Sequence, residues 1–323
     1  MSDEGQPIIS VVICTYNRAD LLADVLESVC QQSLAASAYE IIVVDNNSTD
    51  KTALVSHAFA ARYPNVRYCA ELQQGLSYAR NRGWHEAQGE YVAYLDDDCR
   101  APASWLAISK EVVEHVAPDV FGGPYLAFYN TPKPAWFKDE YGSWAPAEQA
   151  TTIAPDALHG GNLFLRRTLL PTVGGFNPSL GMKGGQIAYG EETALLLYLH
   201  TTLASLHFYY DPRLFVYHLV RREKLSLWWQ LRSTFMHGRA HYPIYYQGQH
   251  PFSRWACLLL PLYTLLFGLR TLLQSWSWRD RDRYPYWQNY IYESKALSYY
   301  LRRLGVWSAY IQTFWSLRLL RSN

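Results

Sequence analysis

A short apolar strand of this chain runs directly into three consecutive carboxylates. The strand pattern covers Glu90–Leu95, and the carboxylates are Asp96, Asp97 and Asp98. Adjacent acids repel one another, so the arrangement favours a bound cation as counter-charge. Oxygen ligands suit Mg²⁺ or Mn²⁺, which keep several waters and share their remaining positions with substrate phosphates. The triplet therefore indicates phosphate chemistry, with a solvated acidic turn as the alternative.

Apolar runs alternate with helical patterns through the first hundred residues. This alternation predicts a mostly parallel sheet covered by helices on both faces. The predicted strands are Ile8–Cys14, Ile41–Asp45, Val66–Cys69 and Tyr91–Asp96, and the predicted helices between them are Leu21–Val29, Thr52–Ala61 and Leu76–Ala87. Ligands of such sheets bind beyond the carboxyl ends of the strands. Polar residues follow three of these ends, at Thr15–Arg18, Asp45–Ser48 and Asp96–Asp98, and we expect them to line one crevice.

Two further side chains have chemistry that suits a nucleotide. Asp45 could accept a hydrogen bond from an N–H of a pyrimidine or guanine base, or it could cap the helix that follows. Arg80 could steady a diphosphate or hold the neighbouring carboxylates. No Gly-x-Gly-x-x-Gly follows the first strand and no Walker A pattern occurs, which disfavours a dinucleotide oxidoreductase and a P-loop NTPase.

The chain resembles the family 2 glycosyltransferases, which have the GT-A fold. The matching segments are Ser10–Arg18, Ile41–Asp50, Gly75–Arg82, Tyr94–Asp98, Gly161–Arg167, Gly174–Asn177 and Gly190–Glu192. In this order and spacing they are specific, and they cover about residues 8–220. The resemblance implies an α/β fold of the Rossmann-like GT-A type. It also implies inverting transfer of one sugar from a nucleotide diphosphate sugar to an acceptor hydroxyl.

The resemblance further implies roles for individual donor-side residues. Asp98 would hold the Mg²⁺ or Mn²⁺ that bridges the diphosphate, Asp96 would contact the ribose, and Asp45 would contact the base. The other donor-side residues would be Thr15, Asn17, Arg80 and Asp97. If the strand pleat persists, Asp97 points away from its two neighbours, towards the donor sugar or the solvent. His218 closes an apolar run and is either an additional metal or phosphate ligand or a structural residue.

An inverting displacement needs a base opposite the leaving group, and two acids are candidates for it. The family pattern has an acidic pair whose second member is the base, so Glu192 is expected in that role and Glu191 is the alternative. Both acids would also favour a helix N-terminus without any catalytic role. The preceding loop, Gly181–Gly190, is rich in glycine and is predicted to act as a lid over the donor.

The acceptor side is indicated by aromatic residues and by the resemblance. Tyr125–Asp156 is rich in Trp, Tyr and Pro, and such segments either stack on sugar rings or pack as ordinary loops. Asn162 and Arg166 resemble the acceptor-side strand of the family. We therefore expect all three to face a glycan or lipid-linked acceptor.

The C-terminal third differs in charge and composition. Residues 1–212 carry 13 Lys+Arg and 24 Asp+Glu, whereas residues 213–323 carry 16 and 4 and contain eight of the twelve Trp. Arg302, Arg303, Arg318 and Arg321 belong to a predicted helix over Ala296–Arg321. The apolar run 256–269, between Arg254 and Arg270, is shorter than the roughly 20 residues of a spanning helix, so an interfacial segment is predicted. The alternative is that these aromatics pack in a helical core or a homodimer interface.

Three regions are therefore predicted: a nucleotide-sugar half at 1–100, an acceptor and catalytic half at 101–220, and a membrane-associated helical region at 221–323. Five dispersed cysteines and an N-terminus without a secretory pattern favour the cytoplasmic face of the membrane. The expected pathway is cell-surface polysaccharide assembly. A nucleotidylyltransferase, an inactive GT-A-like binding protein, a nucleic-acid binder and a processive synthase are alternatives that the motifs favour less.

Overall fold

The structure is a computed structural model that describes residues 6–203, 205–246 and 249–321, without the side chains of 254 and 315–321. The side chains of Arg254, Arg318 and Arg321, which belong to the predicted basic C-terminal region, lie outside the described residues. The chain divides into two compact units. The first holds the residues up to Phe128, Asp139–Gln186 and Glu191–Leu219, and the second holds Tyr129–Lys138, Ile187–Gly190 and the residues from Val220 onward.

The first unit is built on an eight-stranded sheet and a three-stranded sheet. The strands are β1 Ile9–Thr15, β2 Tyr39–Asp45, β3 Val66–Ala70, β4 Tyr91–Leu95, β5 Cys99–Arg100, β6 Val120–Gly122, β7 Tyr125–Phe128, β8 Thr151–Thr152, β9 Asn162–Arg166, β10 Phe208–Tyr210 and β11 Val216–Leu219. The large sheet has the order β3-β2-β1-β4-β9-β6-β10-β8, and the small one the order β5-β11-β7. Strands β1 to β4 pair in parallel, whereas β9 runs antiparallel to β4 and β6.

Helices cover both faces of the large sheet, as the alternation predicts. They are α1 Ala19–Cys30, α2 Thr52–Arg62, α3 Leu76–Glu86, α4 Trp105–His115, α5 Leu170–Val173 and α6 Glu191–Thr202. Strand β2 is buried along its whole length, and its alternate side chains enter two separate apolar clusters. The predicted α/β class with a mostly parallel sheet is confirmed. The parallel register sets Thr15 beside Asp45, so the polar residues that follow these strands start at one edge of the sheet.

The second unit is helical. Its helices are α7 Leu227–Tyr245, α8 Arg254–Ser277, α9 Trp287–Tyr292 and α10 Lys295–Arg321. Helices α7 and α10 pack closely at two glycines: a Cβ on Gly238 would lie 2.1 Å from the carbonyl oxygen of Arg302, and one on Gly305 would lie 2.1 Å from that of Phe235. Any larger residue at either position would push the two helices apart.

Helix α8 corrects the predicted length of the apolar segment. The helix continues for two turns beyond residue 269, because Arg270 ends the uncharged run without ending the helix. Trp255–Ser277 spans 23 residues, and its most apolar stretch of 18 residues has a mean hydropathy of 1.8 and is 17% buried. By length and composition this helix could cross a membrane, so the apolar segment is longer than predicted. The interfacial placement of the segment stays a prediction.

Candidate active site

Arg80 links three acids of the candidate site. Its Nη1 donates a 2.8 Å hydrogen bond to Oε1 of Glu191 and lies 3.8 Å from Oε2 of Glu192. Its Nη2 lies 3.6 Å from Oδ1 of Asp96. The guanidinium is 3% exposed and lies against the rings of Tyr94 and Phe176. One buried cation therefore joins the acid at the end of β4 to the two acids that open α6.

Burial and charge act against each other in this cluster. Burial alone would lower the pKa of Arg80, but the carboxylates of Glu191, Asp96 and Glu192 outweigh it and raise that pKa. The pKa of Glu191 is also raised, first by burial and then by repulsion from Glu192, with Arg80 opposing both. Oε2 of Glu191 is buried and has no hydrogen-bond partner in the described part of the chain.

Two adjacent glycines leave room for this cluster. A Cβ on Gly161 would lie 2.2 Å from Oδ2 of Asp96, and a Cβ on Gly160 would lie 2.5 Å from Nη2 of Arg80. Both distances are far below van der Waals contact. The N-terminal end of β9 is thus held directly against Asp96 and Arg80, where any side chain would displace them.

Three potential metal ligands converge beside Asp96. One ligand atom each from Asp96, Asp98 and His218 lie within 4.8 Å of one another, and Nε2 of His218 is 3.4 Å from Oδ1 of Asp98. The small sheet creates this proximity, because β11 pairs with β5 so that His218 lies opposite Cys99. Leu219 also donates a backbone hydrogen bond to the carbonyl of Asp98. Two carboxylates and an imidazole form a set suited to Mn²⁺ or a similar divalent ion.

Arg18 lies on the other side of the acidic triplet. Its Nη1 is 3.9 Å from Oδ1 of Asp97 and 3.9 Å from Oδ2 of Asp98, which is too long for a hydrogen bond. This nitrogen and Oγ1 of Thr15 are buried polar atoms without a hydrogen-bond partner in the described residues. Burial, followed by repulsion from Asp98, raises the pKa of Asp97.

Comparison with known proteins assigns the family. Residues 10–173 match the family described as glycosyl transferase family 2. The chain belongs to this family. Glycosyltransferase AglE of Haloferax volcanii is 31% identical over 183 residues, which are 56% of this chain and 59% of AglE. The alignment thus spans less than two thirds of that relative. Succinoglycan biosynthesis protein ExoM of Rhizobium meliloti is 27% identical over 241 residues, 72% of this chain and 74% of ExoM.

A solved structure supports the fold of this family 2 glycosyltransferase. Mannosyltransferase PcManGT from Pyrobaculum calidifontis, in complex with GDP-Man and Mn²⁺, superposes with a TM-score of 0.60 at 18% identity. The match covers 96% of this chain and 88% of PcManGT. At this identity the likeness concerns the fold, and it agrees with the predicted GT-A architecture.

The donor-side residues that follow β1 and β2 are hydrogen-bonded to each other. Oδ1 of Asn17 accepts a 2.7 Å hydrogen bond from Thr49 N, and Ser48 Oγ accepts from Asn17 N. Asn17 has φ 51, a left-handed conformation that asparagine tolerates. Asp45 accepts hydrogen bonds from Ser48 N at 2.9 Å and from the hydroxyl of Tyr68 at 3.1 Å. Asp45 therefore closes its own turn rather than capping α2, and its predicted contact with a base stays a prediction.

The predicted acceptor residues on β9 are placed elsewhere. Asn162 is 1% exposed, and its side chain accepts from Trp105 Nε1 and donates to the carbonyl of Leu214. Arg166 lies at the far end of the same strand, opposite Tyr91, because β9 runs antiparallel to β4. There it pairs with Glu90. These contacts do not favour the two acceptor assignments, because one side chain is used in packing and the other lies at the opposite edge of the sheet; both assignments stay predictions.

The aromatic segment divides into packed and accessible parts. Trp136 and Phe137 are buried in the second unit, which corrects their predicted place on a sugar surface. Trp144, in the first unit, is 43% exposed and makes an edge contact with the ring of His159. Nε2 of His159 is buried without a hydrogen-bond partner among the described residues, and burial lowers its pKa although Glu192 opposes the shift.

The sequence analysis placed Arg18 in the strand-end crevice without a role of its own, and it missed His159. Arg18 lies within a segment that carries the family resemblance, so its charge beside two strand-end acids was a usable signal. His159 precedes Gly160 and Gly161, but its place beside Trp144 depends on folding of a long irregular segment. No local pattern marks it.

The predicted lid begins against Glu191, one of the two candidate catalytic acids. Gly181, with φ 86, lies so close to Glu191 that a Cβ there would be 3.0 Å from its carboxylate. The carbonyl oxygens of Leu180 and Met182 accept hydrogen bonds from Ser77 Oγ and Leu76 N at the start of α3. This anchors the first residues of the loop in the first unit. Its closure over a donor stays a prediction.

Proposed function

We propose that this family 2 glycosyltransferase transfers one sugar, with inversion, from a nucleotide diphosphate sugar to a hydroxyl of a glycan or lipid-linked acceptor. One observation carries the proposal: Arg80 joins Asp96, a member of the metal-ligand cluster, to the acids Glu191 and Glu192. A donor diphosphate at the cluster would thus have its anomeric carbon near a carboxylate able to act as base. AglE is a glycosyltransferase and ExoM a succinoglycan biosynthesis protein, which agrees with this reaction class.

The residues present fit a divalent ion. Asp96, Asp98 and His218 would hold it, and the buried, unbonded atoms Arg18 Nη1 and Thr15 Oγ1 beside them suit phosphate oxygens. A bound Mg²⁺ or Mn²⁺ supplies Lewis-acid stabilisation of the charge that develops on the leaving diphosphate. This assignment revises the sequence-based role of Asp96, which shares the cluster in addition to any contact with the ribose.

The base is assigned to Glu192 because its environment is the more open of the two. The side chain of Glu192 is 17% exposed, against 5% for Glu191. Glu191 is occupied by the 2.8 Å bond from Arg80, so it positions the guanidinium and repels its neighbour. Glu192 would accept the proton of the incoming hydroxyl as that oxygen bonds to the anomeric carbon and the nucleoside diphosphate departs.

Calorimetric titration of UDP and GDP, each with and without Mn²⁺, tests the donor site. We expect one of the two nucleotides to bind in a metal-dependent manner. Equal affinity with and without Mn²⁺ would remove the cluster from the donor site, and no binding of either nucleotide would contradict the proposed function.

We further propose that α8 docks on a lipid bilayer. Most of its exposed residues are leucines and tryptophans: Trp255, Leu258, Leu262, Leu265, Leu266, Leu269, Leu272, Leu273 and Trp276. Tyr263 and Arg270 are also exposed. Its buried residues include Thr264, Thr271 and Ser275, whose hydroxyls donate to backbone carbonyls of their own helix. A helix that turns small polar residues inward and leucines outward has the polarity expected beside lipid. Tryptophans at both ends, and the net positive charge of this region, match an anionic headgroup layer at the cytoplasmic face.

Flotation with phospholipid vesicles tests this docking on the full chain. Leu262→Glu with Leu269→Glu should abolish co-flotation, because both side chains face outward. Leu54→Glu, at an exposed position of α2 in the first unit, is the matched control and should float like the wild type. Recovery of wild-type protein as a soluble dimer without vesicle binding would instead assign the α8 face to a second copy of the chain.

A further inference from the structure

A cavity in the second unit lies along one side of α8 and is separate from the candidate active site. Its volume is about 390 Å³. Four of its lining residues, Phe267, Arg270, Thr271 and Gln274, follow one face of α8. The remaining lining residues are Tyr284, Tyr290, Glu293, Ser294, Lys295 and Ala296. It is therefore a pocket formed by α8, the segment after it, α9 and the start of α10.

The pocket carries net positive charge. Within the described part of the chain, neither Arg270 nor Lys295 has an ion-pair partner. The acid in the lining, Glu293, already accepts a 2.7 Å hydrogen bond from Lys138, so its charge is balanced locally. The first turn of α10 adds the partial positive charge of a helix N-terminus. Two cations and a helix end around one cavity favour an anion.

The two tyrosines and the one side-chain amide of the pocket suit an oxygen-rich group. Tyr290 donates its hydroxyl to Gln274 Oε1 at 3.2 Å, which orients the amide of Gln274. The position of the pocket along α8 indicates the source of this oxygen-rich anion. Arg270 follows directly on the outward Leu269, and Trp276 lies two turns further along. A cation next to the leucines and before a tryptophan lies at the depth of lipid headgroups if α8 docks as proposed.

We propose that this pocket binds the phosphate of an anionic phospholipid, with Arg270 and Lys295 as its cationic ligands. The inference rests on the proposed docking of α8 and adds to it a specific headgroup site. General attraction to a negative surface would depend on surface charge alone. The pocket instead predicts a preference for phosphate over other anions at equal surface charge.

The test uses two kinds of vesicle with matched negative charge in a phosphatidylcholine matrix. One contains phosphatidic acid, and the other contains cholesteryl hemisuccinate, whose anion is a carboxylate. The full chain should bind the phosphatidic acid vesicles more tightly. Arg270→Ala with Lys295→Ala should reduce that affinity by about fivefold or more for each cation removed and abolish the preference between the two vesicles.

The matched control removes the same charge outside the pocket. Arg232→Ala with Arg281→Ala, at two exposed positions that do not line the cavity, should keep the preference for phosphatidic acid even if overall binding weakens. Equal binding of the wild type to both vesicles would overturn the headgroup site while leaving the docking of α8 intact. Binding to neither vesicle would overturn the docking as well, and the nucleotide titration reports on the donor site independently.

Direct titration of the full chain with inorganic phosphate distinguishes a site for free phosphate from a site for a phospholipid headgroup. The proposal predicts weak or no binding, because the lipid form is held at the pocket by the membrane. Tight, saturable binding that the Arg270→Ala, Lys295→Ala variant loses would assign the pocket to a soluble phosphate instead.

Discussion

The Nη1 atom of Arg80 lies 2.8 Å from Oε1 of Glu191, and both side chains are buried. The two residues are 111 positions apart in sequence. Their contact joins the helix before β4 to the helix that opens with the candidate base. It thereby sets the distance between the predicted donor-binding acids and the predicted base.

Removal of Arg80 should destabilise the fold through the acid it leaves behind. Above the raised pKa of Glu191, where this acid is ionised, Arg80→Met leaves it buried without its cation, a loss of about 3–5 kcal/mol in the free energy of unfolding. The double variant Arg80→Met, Glu191→Gln should recover a substantial part of that loss, because no buried charge remains unpaired. Chemical denaturation of both variants and the wild type measures these free energies of unfolding. Equal stability of the single and double variants would mean that the pair is not coupled.

Substitution of Glu192 and substitution of Glu191 should have different effects on the rate of transfer. Glu192→Gln should lower the rate of transfer about 10²- to 10⁴-fold, the usual contribution of a general base, while nucleotide affinity stays unchanged. Release of nucleoside diphosphate from the donor, in the presence of a lipid extract as acceptor source, measures the rate. If Glu191→Gln stops the reaction and Glu192→Gln leaves it intact, the role of base belongs to Glu191.

The raised pKa of Glu191 predicts a pH-dependent term in stability. The folded protein retains this proton above the ordinary carboxyl pKa of 4.5, where the unfolded chain has lost it. Stability of the wild type therefore falls as pH rises from about 4.5 through the folded pKa, and Glu191→Gln lacks this term. The contribution of Asp97 is present in both proteins and cancels in their difference. Relative to the wild type, the variant should gain stability across that window, and a difference independent of pH would contradict the raised pKa.

Gly161→Ala should damage the site without altering any charged residue. The added Cβ would lie 2.2 Å from Oδ2 of Asp96 and 2.9 Å from the hydroxyl of Tyr125, so Asp96 must move. Metal-dependent nucleotide binding should weaken about tenfold or more, by analogy with the loss of a positioned ligand. Gly268→Ala, in α8, is the control, since its Cβ would meet only Leu297 at 3.9 Å, an ordinary contact. Equal affinity in the two variants would show that Asp96 does not need its present position.

The strand alternation and the polar strand ends were readable from sequence because each is a local pattern. They predict the sheet, the helices on its faces and the crevice at Asp45 and Asp96. The position of Arg166 could not be predicted from the sequence, because it depends on β9 running antiparallel to β4. The proximity of His218 to Asp98 likewise depends on pairing between β5 and β11, which are far apart in sequence. The full length of α8 has no local signal, because Arg270 interrupts the apolar run while the helix continues to Ser277.

Nucleotide titration of the Asp98→Asn variant beside the wild type tests the central claim most directly. The claim is that the cluster of Asp96, Asp98 and His218 holds the metal through which the donor is bound. The wild type should bind UDP or GDP more tightly with Mn²⁺ than without it. Asp98→Asn should lose that gain and retain the weak metal-free affinity and an unchanged melting temperature in metal-free buffer. A variant that keeps the full Mn²⁺-dependent gain would contradict the account.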